Sequence, residues 1–505
     1  MIDLLTRNDG KIQGILGCYD RVLLQGNLEG VGYADGMTSF LYSQGIRIFD
    51  YKDFVQPLRE QIRTNAHKIA EEAGIPIHHI AKKGVRKESL VNERLKERGE
   101  APGLVCILSA VETCTSYKPW HDKKTGRTFL RTKSGKCLHY YFYFMDEKFG
   151  LCFLRVPTWC PFRLQFYFNG HGWLASRLRE DGINYEMLDN AFVAMDDFEK
   201  AQAIADRFPV LELSLTLARY VRKLCPVNDT FGVGYRWTIM QAEYATDVVF
   251  RNQKDLAPIY EHLVRTVVHT VKAENIATFL GRKLTGNYCD EVGNDLGRRI
   301  QGTRVKHSMG PASLKMYDKR GIILRIETTT NDISFFKHHR TVYHRNGEQS
   351  SKLAPMRKSL CNLTFELSGI MSACNRRYLE FLSSLEDPTM SVKDLDRVTA
   401  GVRLNNRNYR GFNFFQHQDR QLFEVLLRGE FNISGFRNSD IRDHLPALSS
   451  GQVSHRLKRL RVHGLIKKAA RSYKYHLTSL GRRVVAKALE VRNLLVLSLA
   501  RLATQ

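Results

Sequence analysis

Residues 419–505 hold a run of short elements whose order leaves few ways to bury their apolar faces together. Gln421–Leu427 reads as an amphipathic helix and Phe431–Phe436 as a short extended piece. Asn438–Leu445 reads as a second helix, capped by Asn438 or Ser439, with Pro446 beyond its end. Ser449-Ser450-Gly451 opens a third helix that runs to about His463. Residues 465–478 read as a β-hairpin with a basic tip, and Thr478 or Ser479 caps a long helix over 480–502. On the third helix Val453, Leu457 and Leu460 stand at i, i+4 and i+7 and form the core stripe. The opposite face then carries Gln452, His455, Lys458 and Arg459, with Ser450 at the helix start and Arg456 and Arg461 flanking.

Three helices, a hairpin and a closing helix make the winged helix-turn-helix plan. The run Leu477-Thr478-Ser479-Leu480-Gly481 after the hairpin resembles the MarR-like branch of that fold. The resemblance implies duplex DNA as the ligand, read by the third helix and flanked by wing contacts from Lys467, Lys468, Arg471 and Lys474. Charge points the same way. Lys and Arg number 77 against 52 Asp and Glu, a net of +25, and 419–505 alone holds 17 − 6 = +11. The competing reading is a winged helix that contacts protein and whose charges form a solvated face. More than half of the net charge, 25 − 11 = +14, lies upstream, so the body needs its own account.

With 505 residues the chain reads as an α+β multidomain protein with mixed and antiparallel sheets. An N-terminal α+β domain is expected over 1–184, with strand-like runs at Cys18–Gly26, Leu138–Met145, Leu151–Val156 and Arg163–Asn169, a helix over 52–74 and another from about Trp173 to Glu180. Residues 81–136 are basic, 14 − 6 = +8, and their Tyr117–Arg127 portion reads as an exposed hairpin or loop that offers Lys123, Lys124 and Arg127 to nucleic acid. Residues 185–384 read as mainly helical, at 196–207, 211–223, 255–272, 273–282 and 350–382, with an inserted β-meander at 303–330. A basic and aromatic linker, 385–418, precedes the winged helix.

In the meander, alternation puts Lys315, Tyr317 and Lys319 on one face of a strand and Arg325 with Glu327 on one face of the next. The run Lys315-Met316-Tyr317-Asp318-Lys319 followed by Leu324-Arg325-Ile326-Glu327 resembles a stretch of rolling-circle replication initiators. That resemblance implies nicking chemistry with Tyr317 as nucleophile and Glu327, Asp318 and Lys315 around it, assisted by Mg²⁺ or Mn²⁺. The His-hydrophobe-His metal motif of those enzymes is absent, since His78-His79 and His338-His339 are adjacent pairs. The competing reading is a salt-bridged sheet face, Arg325 with Glu327 and Lys315 capping it.

In the linker, Arg403, Arg407, Tyr409 and Arg410 alternate cations with a ring and would suit nucleic acid, whereas Phe412, Phe414 and Phe415 would dock on the neighbouring domain. Asn375-Arg376-Arg377-Tyr378 is a weaker candidate of the same kind, and Tyr140–Phe144 reads as core because its rings fall on both faces. Ten cysteines without a C-x-x-C pair read as reduced core thiols of a cytoplasmic protein. No run approaches the ~18 apolar residues of a membrane span, and no signal-peptide core is expected. Gly232-Val233-Gly234 reads as a turn, so neither a nucleotide cofactor nor a metal is expected outside the nuclease reading.

Taken whole, the chain resembles a group of long prokaryotic proteins of uncharacterised activity, often labelled MarR-type from the C-terminus alone. The stretches that carry this are Lys136–Tyr143, Phe168–Ala175, Gln241–Asp247 and Lys315–Lys319. Duplex DNA binding is therefore the first expectation, a metal-dependent nickase or replication initiator of a mobile element the second, and structured RNA the third. The sequence is compatible with a homodimer and does not set an oligomeric state.

Overall fold

The computed structural model describes residues 3–488 apart from 83, 285–287, 289–290, 300–301, 344–346, 386–387, 428–430, 432–434, 470–471, 479, 482–483 and 486–487. The chain divides into two interleaved units. The larger comprises 16–245 and 329–370, the smaller 1–15, 246–328 and 371–505. The boundaries expected at 184, 384 and 418 are not part of this division.

The larger unit is built on a mixed sheet. Its strands are β1 (Ile12–Leu28), β2 (Ile77–His79), β3 (Gly103–Asp122), β4 (Arg127–Asp146), β5 (Gly150–Pro157), β6 (Leu164–Phe168) and β9 (Tyr235–Phe250), with a separate hairpin of β7 (Tyr185–Met187) and β8 (Phe192–Met195). They run in the order β9-β1-β6-β5-β4-β3-β2. Pairing is antiparallel from β1 to β3, and β2 adds to β3 in parallel. The rings of Tyr140–Phe144 are all buried, because β4 is covered on both faces. Helix α1 (Ala34–Ser43), not foreseen, packs on β4, and α2 (Tyr51–Glu72) buries Tyr51, Val55, Leu58, Ile62, Ala66 and Ile69, one stripe at helical spacing. Further helices are α3 (Lys87–Arg98), α4 (Gly170–Glu180) and α5 (Val210–Leu224).

The smaller unit carries the meander. Strands β10 (Val292–Arg299), β11 (Gly302–Met309), β12 (Ala312–Lys319) and β13 (Ile323–Thr330) lie in that order, followed by the C-terminal end of β9. Helix α6 (Gln253–Thr270) covers it, and Tyr260 donates to the Met316 carbonyl at 3.5 Å. The first residues of the chain are tied here as well: Leu4 N–H donates to Ser383 Oγ at 3.0 Å and Arg7 Nη2 to the Ser383 carbonyl at 2.8 Å. Ser383 lies on α7 (Glu366–Leu385).

The helix expected from 350 starts at Glu366, because 349–355 are the second strand of a hairpin, β14 (Lys337–Tyr343) with β15 (Gln349–Pro355). The region expected to be mainly helical also contains the long strand β9 between its helices. Strand β9 is flanked by strands on both sides and buries residues on both faces towards its end. Such a strand loses the alternation that marks a half-exposed one and cannot be told from a buried helix by period. The cysteines divide as well. Cys18, Cys106, Cys152, Cys160, Cys225 and Cys374 are core thiols, whereas Cys114 and Cys137 are half-buried and Cys361 is exposed; Cys289 lies outside the described residues. Among the described residues no helix is long and apolar enough to cross a membrane.

Candidate nucleic-acid interface

At the C-terminal end of the smaller unit, helices α8 (His417–Leu426), α9 (Asn438–His444) and α10 (Ser450–Val462) share one core with a hairpin of β18 (Ile466–Lys468) and β19 (Tyr475–Leu477). Two further strands, β16 (Val402–Leu404) and β17 (Arg407–Tyr409), precede α8. Val453, Leu457 and Leu460 meet Leu422, Phe423 and Leu426 in the core, and Val398 and Phe412 belong to it too. The packed module therefore begins upstream of 419. Phe412 and Phe414 dock as expected, but Phe415 is exposed.

Local sequence explains each helix start. Ser449 Oγ accepts from Gln452 N–H at 3.3 Å while the Gln452 side chain accepts from Ser449 N–H at 2.8 Å, a reciprocal cap. Helix α9 is capped from Asp440, which accepts from Arg437 N–H at 2.9 Å, rather than by Asn438 or Ser439. Asn438 instead donates to the Ser450 carbonyl and to Ser454 Oγ, both at 2.9 Å, and so clamps α9 to α10. Phe436 exchanges backbone hydrogen bonds with Tyr475 at 2.9 and 2.8 Å, adding a bridge to the hairpin edge. After the hairpin, Thr478 Oγ1 accepts from Gly481 N–H at 2.9 Å, and a Cβ at Gly481 would lie 2.0 Å from the Leu465 carbonyl oxygen. Only glycine allows that approach. The closing helix expected over 480–502 falls mostly outside the described residues.

The cations of α10 separate into two sets. Lys458 and Arg461 are exposed, with His455 and Ser450 on the same open side, and among the described residues neither cation pairs with a carboxylate. Lys467 and Lys468 are exposed on β18, and Lys474 is half-buried on the returning limb. Arg471 lies outside the described residues. Tyr473, which the sequence reading passed over, is 82% exposed near the hairpin tip with Lys468 Nζ 5.2 Å from its ring centroid.

Arg459 overturns its expected place on the outer face. It is 5% exposed; its Nη1 and Nη2 meet the two Asp419 oxygens at 2.8 and 2.9 Å. Its Nε donates to the Arg410 carbonyl at 3.0 Å and Nη2 to the Gly411 carbonyl at 2.6 Å, with the guanidinium 3.8 Å from the Phe412 ring centroid. A forked pair with further acceptors meets the conditions a buried ion pair needs. Beside it, burial holds the His463 imidazole below its ordinary value, and its Nε2 lies 3.1 Å from the Arg410 carbonyl. Arg456 is half-buried, its Nη1 3.4 Å from the Gln418 carbonyl. Gln452 is exposed, but part of its amide serves the cap. A cleft of about 420 Å³, lined among others by Arg410, Gln452, His455 and Arg456, opens beside this anchor.

The linker candidates also divide. Arg403, Arg407 and Arg410 are exposed on β16, β17 and just beyond, whereas Tyr409 is buried and cannot offer its ring. Asn375 and Tyr378 are buried, and Arg377 is held by the Phe279 carbonyl at 3.0 Å. In the larger unit Lys123, Lys124 and Arg127 are exposed at the tip of the β3–β4 hairpin.

The meander residues come together as the alternation predicts, but inside. Glu327 is buried; Lys315 Nζ is bound to its Oε1, and Tyr317 OH donates to its Oε2 at 2.7 Å. Arg325 turns to Asp247 instead, with Nε and Nη2 each 2.6 Å from a carboxylate oxygen. Asp318 faces the turn, where its Oδ1 accepts from Gly321 N–H at 2.9 Å, and burial raises its carboxyl pKa. Tyr317 is itself 4% exposed, so its hydroxyl is placed to hold Glu327 rather than to meet a phosphodiester. Nearby His307 is buried between Asn294 and Tyr378, its Nε2 2.9 Å from the tyrosine hydroxyl, and burial drives its pKa down to about 4.

No protein-family model, curated protein or solved structure matches the chain.

Proposed function

We propose that the chain is a nucleic-acid-binding protein that holds duplex DNA through a C-terminal winged helix of MarR-like plan. The observation that carries this reading is the sorting of α10: Arg459 is drawn inward to anchor the helix, while Lys458 and Arg461 remain outward and unneutralised beside the basic hairpin. A helix held firmly at its inner face and cationic at its outer one suits a major groove, with Lys467 and Lys468 reaching flanking phosphates. The α9–α10 clamp, the shared core and the Phe436–Tyr475 bridge support the winged-helix geometry.

The test is a titration of full-length protein into a labelled duplex of about 30 base pairs across roughly 50–200 mM salt. Binding is expected to weaken steeply with salt. Lys458→Ala with Arg461→Ala is expected to lower affinity about 10- to 100-fold and to reduce the salt slope by about 2. Absence of binding at the lowest salt would sink the reading.

A further inference from the structure

The β3–β4 hairpin continues as a two-stranded arm to the pair Asp122 and Arg127. One side of this arm is occupied. Tyr117 and Leu130 are buried, Leu130 N–H donates to Thr38 Oγ1 of α1 at 3.0 Å, and Tyr42 OH donates to the Thr128 carbonyl at 2.6 Å. The register fixes what lies on the other side. Lys118 stands opposite Arg131, Trp120 opposite Phe129, Ser116 opposite Lys133, and Asp122 opposite Arg127. Directly paired residues share a face.

That open face therefore carries Lys118, Arg127, Arg131 and Lys133 around Trp120 and Phe129. All four cations are exposed, Trp120 is 39% exposed and Phe129 is half-buried. The Arg131 guanidinium lies 4.1 Å from the Trp120 ring centroid and Lys118 Nζ 5.5 Å from it, so the ring is steadied between charges. Two like charges directly opposite one another cost a sheet stability, and among the described residues the Lys118–Arg131 pair has no contact ion pair, only a weaker attraction of Arg131 to Asp122. The one acid on this stretch, Asp122, is engaged by the turn: it accepts from Lys124 N–H at 3.0 Å and from Thr125 Oγ1 at 2.9 Å, which holds its carboxyl below the usual range. Sheet packing gains nothing from such a face, whereas a polyanion with flat groups would be complementary to it.

We propose that the outer face of the β3–β4 arm binds single-stranded nucleic acid, with Trp120 stacking on an unpaired base and Lys118, Arg131 and Lys133 holding the phosphates on either side. A paired base shows a groove only its edge, so an exposed ring between cations favours the unpaired strand. Ser116 is buried under Trp159, so the open face runs from Lys118 to Asp122, about 14 Å at strand rise, enough for about two nucleotides. This site is separate from the proposed duplex contact and does not depend on it.

The experiment uses full-length protein with a labelled oligothymidylate of about 12 nucleotides and, separately, the duplex above, both at low salt. Trp120→Ala is expected to weaken oligothymidylate binding about ten-fold while Trp120→Phe retains most of it. Lys118→Ala with Arg131→Ala is expected to weaken it further and to flatten its salt dependence. Trp120→Ala should leave duplex affinity unchanged, which separates failure of one site from failure of the other. Thermal melting of each variant confirms that the fold is kept. The proposal is overturned if wild-type protein ignores the oligonucleotide, if Trp120→Ala binds it as wild type does, or if polyglutamate competes as well as unlabelled oligonucleotide.

Discussion

The meander around Glu327 and the helix α10 contain the same kinds of side chain, and the fold uses them in opposite ways. In the meander the polar side chains turn inward. Lys315 and Tyr317 close on Glu327, and Arg325 closes on Asp247. On α10 one arginine turns inward and its neighbours stay out. Arg459 closes on Asp419, while Lys458 and Arg461 face solvent. A basic residue paired in the interior is a structural part; the same residue left exposed without a carboxylate is available to a ligand. Composition alone cannot make that distinction, since it depends on where the partner acid lies.

The comparison breaks most visibly at its two keystone carboxylates. Asp419→Ala would leave Arg459 buried without its carboxylate, at a cost of about 3–5 kcal/mol in urea or thermal unfolding of the full chain, and Glu327→Ala would remove the buried acceptor shared by half-buried Lys315 and by Tyr317, at a cost of about 1–3 kcal/mol. Their effects on binding should differ. Asp419→Ala is expected to weaken duplex affinity because α10 loses its anchor, while Glu327→Ala leaves the affinity of the folded fraction unchanged. Equal losses would mean that the two regions do not divide as described.

Acid offers a second lever. His307 is held neutral in the fold, with a pKa of about 4 against an ordinary value near 6.5. The unfolded chain then binds the proton more readily, so this stability is complete above about pH 6.5 and is lost as pH falls towards 4, by about 3 kcal/mol in all. His307→Gln should flatten that limb of a stability-against-pH curve; an unchanged curve would show that His307 does not govern it.

Smaller effects are expected at the exposed cations. Lys458→Ala or Arg461→Ala alone should change stability by less than about 0.5 kcal/mol yet reduce duplex affinity several-fold to ten-fold. Lys467→Ala and Lys468→Ala should each cost about two- to five-fold, chiefly through the salt-dependent part of binding. A stability loss larger than the binding loss at any of these positions would move that residue to the meander's side of the comparison.

Much of this was legible from local pattern. The alternation of Lys315, Tyr317 and Glu327 predicted that they would share a face, and the stripe of Val453, Leu457 and Leu460 predicted the core side of α10. Depth was not legible. Whether Tyr317 is open or covered depends on residues distant in sequence, and Arg459 was drawn inward by an acid 40 residues away. Tyr409 was misread for the same reason, since a ring in a polar stretch has no local mark of burial. The face of the arm could have been found earlier: a turn at Lys123–Gly126 pairs Asp122 with Arg127 and so sets Trp120 against Phe129. The hairpin reading of Tyr117–Arg127 carried that alternation within it; the loop reading did not.

The tie between Leu4 and Ser383, 379 residues apart, has a consequence for how the molecule is made. The smaller unit draws on 1–15, 246–328 and 371–505, so its first segment is made well before the pieces it joins. Closing contacts across such separations is slow, and the waiting pieces remain open to wrong associations in the meantime. Residues 16–245 already supply most of the larger unit when the first of those partners emerges. A growing chain would thus gain its larger body before its smaller one, so that the surfaces it presents change as synthesis proceeds.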